Sequence, residues 1–409
     1  MWPDDTVVYH TLTNGIKAIC VPYAAGVDYF GVSVNAGSRD EDDSCHGLAH
    51  FVEHTLFKGT QKRRSWHIIN RMERVGGELN AFTTKEETAV YSIFPSGNLD
   101  RAAELISDLL CDSVFPPREL DKERDVVEDE INSYLDTPSE AVYDDFEEMI
   151  FAGSPLAHNI LGNSHSVASL TGDDCRRWLG TMFTPGEMAV FYVGSKSPAS
   201  AFRIMERHFG RMHHADKPRS RCVPPVLPPS DIVRSLSLHQ AHTVGGVRIP
   251  GIFEGKTHIY ALLANIIGGP GMNSLLNVEM RERMGLVYTV EATTVTYTDC
   301  GLFTVYYGCD SDSSDRCRGV MERVMRKISS EGLSPRRLDE AKRQYIGQLA
   351  VAGENREQMA LSSGRSLLCH GRLFSRAERI RRIEEITPAA FAEAAGGLSP
   401  DNFSFLTFS

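Results

Sequence analysis

The sequence predicts a two-domain α+β protein, each domain a mainly antiparallel sheet packed with helices. Three observations carry this: the chain length, a proline-rich interruption near the middle, and an echo between the two sides. A chain of 409 residues is too long for one ordinary hydrophobic core. The stretch from Pro218 to Pro229 contains Pro224-Pro225 and Pro228-Pro229, a composition that is extended and stiff, so it reads as a linker. The expected division is residues 1–217, a linker at 218–230, and residues 231–409.

The echo makes the two parts copies of one unit. Pro117-Arg118-Glu119-Leu120-Asp121-Lys122 opens a helix in the first, as Pro335-Arg336-Arg337-Leu338-Asp339-Glu340 does in the second. Glu73-Arg74-Val75-Gly76 is matched by Glu282-Arg283-Met284-Gly285. β-rich runs follow, Ala89–Phe94 in one half and Leu302–Tyr307 in the other. Each half therefore predicts strands, a helix, a strand hairpin, then a set of helices. Two echoes in the same order favour duplication over chance.

Composition narrows the function. Apolar residues are 42% and charged residues 24% of the chain, the profile of a globular protein. No apolar run is long enough for a transmembrane helix. Met1-Trp2-Pro3-Asp4-Asp5 lacks the basic region and apolar core of a signal peptide, so a cytoplasmic location is expected, with no membrane partner. The net charge of −11 argues against nucleic acid as a partner, because phosphate binding needs basic patches. Nine cysteines, an odd number without any Cys-x-x-Cys pair, fit reduced thiols better than a disulfide framework.

The chemistry concentrates at His50-Phe51-Val52-Glu53-His54. Histidines at i and i+4 project from one face of a helix about a turn apart, and neutral imidazoles so placed can hold zinc. Glu53, beside the pair, stands where a general base for an attacking water belongs. A catalytic zinc wants a third protein ligand and an open position. The helical stretch from Asp121 to Leu135 offers Glu123 and Glu130, seven apart and so on one face, while Glu128 points elsewhere. A lone His-x-x-x-His pattern also arises on ordinary surface helices, and an acidic helix is usually a solvated face. The duplication argues otherwise: aligning Pro117 with Pro335 sets Glu130 against Gln348 and Glu123 against Ala341, and the second half has no His-x-x-Glu-His. His46 extends the histidine series, but the position of Glu53 favours His50 and His54, leaving His46 as a helix-start residue. His213, His214, His239 and His242 are assigned structural roles.

These residues resemble the inverted zincins, the pitrilysin or insulinase type (M16) of metallopeptidase, whose signature is His-x-x-Glu-His. The resemblance covers nearly the whole chain. In that family a glutamate about 76 residues after the second histidine is the third ligand, which falls on Glu130, and an acidic residue seven positions earlier, here Glu123, supports the site. The run from Gly76 through Asn80-Ala81-Phe82-Thr83, followed by Glu86 and Thr88, looks like the family's substrate-binding edge strand. There a peptide adds as a further strand through main-chain hydrogen bonds. In the second half, Arg281-Glu282-Arg283-Met284-Gly285-Leu286-Val287-Tyr288 is similar to the family's Arg-Glu-Lys-x-Gly-Leu-x-Tyr segment. By that likeness Arg281 and Tyr288 reach the substrate backbone and the oxyanion. Leu275-Leu276 departs from relatives that often carry a basic residue after the serine.

The resemblance implies two domains of the LuxS/MPP-like metallohydrolase type, in the short, processing-peptidase-like bacterial branch. It implies one Zn²⁺ per chain on His50, His54 and Glu130, with Glu53 as base. The expected activity is that of a zinc metalloendopeptidase, cutting peptides or unfolded segments inside a closed chamber formed by a homodimer. The alternative is a non-catalytic subunit that partners an active chain. A structural zinc module would need a closed four-ligand site, for which the cysteines show no spacing.

Overall fold

A computed structural model describes residues 7–212 and 220–409. His213, His214, the first five residues and Pro218 at the start of the proline-rich stretch lie outside the described residues. The strands are β1 (Val8–Thr11), β2 (Lys17–Pro22), β3 (Val27–Val34), β4 (Glu78–Thr83), β5 (Thr88–Pro95), β6 (Met188–Gly194), β7 (Asp231–Arg234), β8 (Gln240–Ile249), β9 (Val287–Thr296), β10 (Gly301–Asp310) and β11 (Ser404–Phe408). The helices begin with α1 (Leu48–Leu56), α2 (Ser65–Glu73), α3 (Leu99–Asp112), α4 (Pro117–Leu135), α5 (Pro138–Ile150), α6 (Ser164–Ser169), α7 (Gly172–Met182) and α8 (Pro198–Phe209). They continue with α9 (Thr257–Gly268), α10 (Ser314–Glu331), α11 (Pro335–Ala352), α12 (Arg356–His370), α13 (Arg376–Glu384) and α14 (Pro388–Gly396).

The expected α+β class holds, and the sheets show the duplication directly. One sheet runs β1-β2-β6-β3-β5-β4 and the other β7-β11-β8-β10-β9. Setting the extra strand β1 aside, the second order is the first with every strand replaced by its counterpart. Even the exception to antiparallel pairing recurs: β2 is parallel to β6, and β7 is parallel to β11. In each sheet the hairpin strand, β4 or β9, is terminal and pairs on one side only.

The first compact unit comprises Met1–Asn132, His158–Arg221 and Gly353–Arg376. Alternation along its strands gives the sheet two apolar faces. On one, Phe30, Val32, Val90 and Tyr192 pack against Phe51 and Val52 of α1 and Leu105, Ile106 and Leu109 of α3. On the other, Ile19, Val21, Ala189, Phe191 and Val193 are covered by Ala360 and Leu367 of α12. The approach of α12 is so close that a side chain at Gly364 would strike the Ser33 hydroxyl and come within 2.7 Å of Phe191 Cδ1.

The second unit comprises Ser133–Ala157, Cys222–Ala352 and Ala377–Ser409. Phe303, Val305 and Tyr307 of β10 face Leu262, Leu263 and Ile267 of α9 and Val320 and Met321 of α10. Val244, Tyr306, Leu406 and Phe408 on the reverse side are covered by Val142, Phe146 and Ile150 of α5. Here too a glycine permits the contact, since a Cβ at Gly246 would lie 2.8 Å from Phe146 Cε1. The expected contiguous division, 1–217 and 231–409, is therefore corrected. Residues 133–157 belong to the second compact unit and 353–376 to the first, because α5 and α12 carry the apolar faces those sheets need. The cysteines are all free, and five of them are buried.

Candidate metal centre

Helix α1 forms because Leu48, Ala49, Phe51, Val52, Thr55 and Leu56 all bury against the core, leaving a narrow face for His50, Glu53 and His54. Its start is fixed by Gly47, whose φ of +89° is a left-handed conformation that glycine adopts without strain. A Cβ there would also sit 2.6 Å from the Leu161 carbonyl oxygen. The free N–H groups of the first turn are met by Glu41, which accepts from Gly47 N at 2.9 Å and Ala49 N at 2.7 Å. Glu41 also lies 3.1 Å from His158 Nε2, and the His158 ring stacks on His46 with centroids 4.0 Å apart. His46 thus precedes the helix and packs on another histidine, outside the ligand group.

Helix α4 brings in the carboxylates. Leu120, Val127 and Ile131 anchor its buried side, and Glu123 and Glu130 lie toward the histidine pair. One donor atom from each of His50, His54 and Glu130 falls within 4.8 Å of the others. His54 Nε2 is 3.4 Å and His50 Nε2 3.7 Å from the same oxygen, Glu130 Oε2. Donors on a tetrahedral zinc with bonds near 2.0–2.1 Å sit about 3.4 Å apart, so this set fits zinc in spacing and in ligand type. Glu128 takes no part in it.

The surroundings tune the two imidazoles differently. Burial, then His54, pulls the His50 pKa down to about 3, so it is neutral and its lone pair is available. Burial also pulls His54 down, but Glu123, Glu53 and Glu130 outweigh it and lift His54 above the usual histidine range. Glu123 Oε2 lies 3.4 Å from His54 Nδ1, which fixes the proton on that nitrogen and leaves Nε2 facing Glu130. Lys58, one turn beyond His54, holds Glu123 Oε1 at 2.6 Å. Burial raises Glu123, but its bonds to His54 and Lys58 prevail and keep it below the ordinary value.

Glu53 is half-buried, and burial raises its carboxyl; Thr83 and His54 pull it down, while Glu130 pushes it up. Thr83 belongs to the terminal strand β4, whose Leu79 and Ala81 pack on the helix-side core. By alternation Asn80 and Phe82 take the opposite face, where Phe82 meets Tyr91 with ring centroids 6.4 Å apart. All four expected substrate-strand residues therefore lie on one unpaired edge beside α1.

In the second unit, Arg281 lies on a wide (π) helical turn, Asn277–Arg283, and is exposed. Tyr288 is 59% exposed near the start of β9, with its hydroxyl donating to Asp310 Oδ1 at 3.1 Å. Gln348, the partner of Glu130 in the duplication, accepts from Asn265 Nδ2 of α9 at 2.6 Å. In the second copy the counterpart of the Glu130 carboxylate is thus a neutral amide, paired with another amide. Sequence reasoning missed Glu41, His158 and Lys58. Of these only Lys58 carried a signal, its i, i+4 spacing from His54.

Comparison with known proteins agrees with this division of labour. Residues 26–164 match the family described as insulinase (peptidase family M16), and residues 169–345 match the peptidase M16 inactive domain. A protein of Bacillus subtilis described as the uncharacterized zinc protease YmxG is 28% identical over 97% of this chain and 95% of its own length. An uncharacterized zinc protease of Mycobacterium tuberculosis is 32% identical over 92% of this chain and 87% of its own. The mitochondrial-processing peptidase subunit beta of Caenorhabditis elegans is 26% identical over 92% and 84%. The fold matches a protease from Helicobacter pylori with a TM-score of 0.90, at 19% identity, over 98% of this chain and 99% of that one. With the motif, the duplicated fold and these relatives in agreement, the chain belongs to peptidase family M16, the insulinase family, and is zinc protease-like.

Proposed function

We propose that this chain is a zinc-dependent endopeptidase that cuts peptides or unfolded polypeptide segments. The observation that carries the reading is the convergence of His50 Nε2, His54 Nε2 and Glu130 Oε2 beside Glu53 and an unpaired strand edge. Zinc, held by those three residues, would supply Lewis acidity toward water and the scissile carbonyl. Glu123 and Lys58 keep the His54 ring oriented, and burial keeps His50 neutral. The substrate pairs with β4 through main-chain hydrogen bonds, so affinity depends little on its sequence. Glu53 takes the proton of the attacking water and delivers it to the leaving amine. Arg281 and Tyr288, exposed in the second unit, are assigned to the substrate backbone and the developing oxyanion. A homodimer that encloses the substrate belongs to the same proposal, and enclosure would exclude folded proteins.

The test is hydrolysis of a quenched fluorescent peptide by the purified chain, with metal content measured in parallel. Glu53→Gln should retain zinc and lose activity by about 10²-fold or more, the contribution of a positioned acid–base group. A chelator should abolish activity and added zinc restore it. Full activity in the variant overturns the role given to Glu53, whereas bound zinc without hydrolysis by the wild type overturns the reading in favour of a non-catalytic subunit.

A further inference from the structure

The chain is acidic overall, with a net charge of −11, yet one segment reverses that sign. Between Lys62 and Arg74 it carries Lys62, Arg63, Arg64, Arg71 and Arg74 against the single acid Glu73. In the first unit four of these cations, Lys62, Arg63, Arg71 and Arg74, close on a cleft of about 300 Å³ between α2, the loop before it and the start of α3. Lys62, Arg63, His67, Asn70, Arg71, Arg74 and Arg101 line it, so every lining side chain is a cation, an imidazole or an amide.

Part of this charge is used to build the cleft. Asp112 holds Lys62 at 2.5 Å, Asp108 holds Arg63 at 2.5 Å, and Glu104 reaches both Arg63 at 2.6 Å and Arg71 at 3.1 Å. Three carboxylates thus face five permanent cations. Arg74 and Arg101 form no ion pair among the described residues; Arg101 donates to the Arg71 carbonyl oxygen at 3.0 Å. The Arg71 fork is also incomplete, since its Nε is buried and has no acceptor among the described residues. Cations crowded together at the cost of mutual repulsion are what a multiply charged oxyanion needs; here carboxylates hold Lys62, Arg63 and Arg71, a carbonyl oxygen holds Arg101, and Arg74 is left free of an ion pair among the described residues. Guanidinium forks bind phosphate oxygens in pairs, and preorganised side chains lose little entropy on binding.

We propose that the α2–α3 cleft is a binding site for a di- or triphosphate group, with Arg71, Arg74 and Arg101 as its principal ligands. The site is too small and its cations too few for a nucleic-acid track. The phosphate chain could be inorganic or carried by a nucleotide. Trp66 bears on the second source: it lies one turn before Asn70 on α2 and is 65% exposed as a residue, offering surface to a base.

The experiment is calorimetric titration of the metal-loaded chain at low ionic strength with inorganic tripolyphosphate and, separately, with adenosine triphosphate. Zinc content is measured before and after each titration. Wild type should bind saturably. Arg74→Ala/Arg101→Ala should weaken binding about tenfold or more, the loss expected for charge-assisted hydrogen bonds. Arg74→Glu changes an exposed side chain and serves if the double variant does not fold. Equal affinity for the two probes supports recognition of the phosphate chain alone. Tighter nucleotide binding that Trp66→Ala reduces supports a nucleotide. Absence of saturable binding, or equal affinity in wild type and the arginine variants, overturns the proposal; the latter is also what zinc withdrawal by the polyphosphate would produce.

Discussion

His50 and His54 sit on successive turns of one helix, yet their rings are held in different ways. Burial keeps His50 neutral, whereas His54 is oriented by the Glu123 carboxylate, itself held by Lys58. Outer groups of this kind fix the tautomer of a metal ligand and typically govern affinity by 10–100-fold. Glu123→Ala should therefore lower zinc affinity by about that range, measured by competition with a chromophoric chelator, while the fold persists. The raised pKa of His54 also sets a pH dependence. Metal and proton compete for Nε2, and a raised pKa keeps the proton bound to higher pH. Zinc retention should thus begin to fall above the ordinary histidine range as pH is lowered, and fall further through it. His50, at about 3, adds nothing over that interval. Zinc content after equilibration at graded pH checks this; retention that declines only near pH 4 would contradict it.

Helix α1 is nine residues long, too short to be stable alone, so its placement depends on packing and on its first turn. Glu41 satisfies two backbone donors there and meets His158. Glu41→Ala would leave those buried groups without an acceptor, at a cost of about 1–3 kcal/mol. A lower thermal midpoint at unchanged far-ultraviolet circular dichroism is the expected result. At this scale much was legible in the sequence. The apolar spacing around His50 gave the helix, and the hairpin run gave β4 and β5. What could not be read was the support. Glu41 and His158 are separated by 117 positions and neither belongs to a motif, so only folding brings them to one helix end.

The two sheets repeat one strand order, and each is completed by a helix from the other half of the sequence. Cutting the chain at the proline-rich stretch would strip α12 from Ile19, Val21, Ala189, Phe191 and Val193, and α5 from Val244, Leu406 and Phe408. Either half expressed alone should therefore aggregate or expose apolar surface to a hydrophobic dye. Co-expression should recover a soluble pair. Two independently soluble, cooperatively folding halves would contradict this arrangement.

The sequence alone determined the fold class, the duplication, and the residues His50, Glu53, His54, Glu123 and Glu130 on two helices. Short-range periodicity and the repeat, which survive without knowledge of the fold, marked these residues as candidates, and the family resemblance chose Glu130 as third ligand with Glu123 supporting it. The tertiary structure decided which helix covers which sheet, that Glu41 and Lys58 support the candidate metal set, and that Arg101 joins the basic segment Lys62–Arg74 at one cleft. Those are contacts between segments distant in sequence, selected by shape and charge rather than by spacing. The amide pair Asn265–Gln348 shows both parts at once: alignment identified Gln348, and only packing supplied its partner.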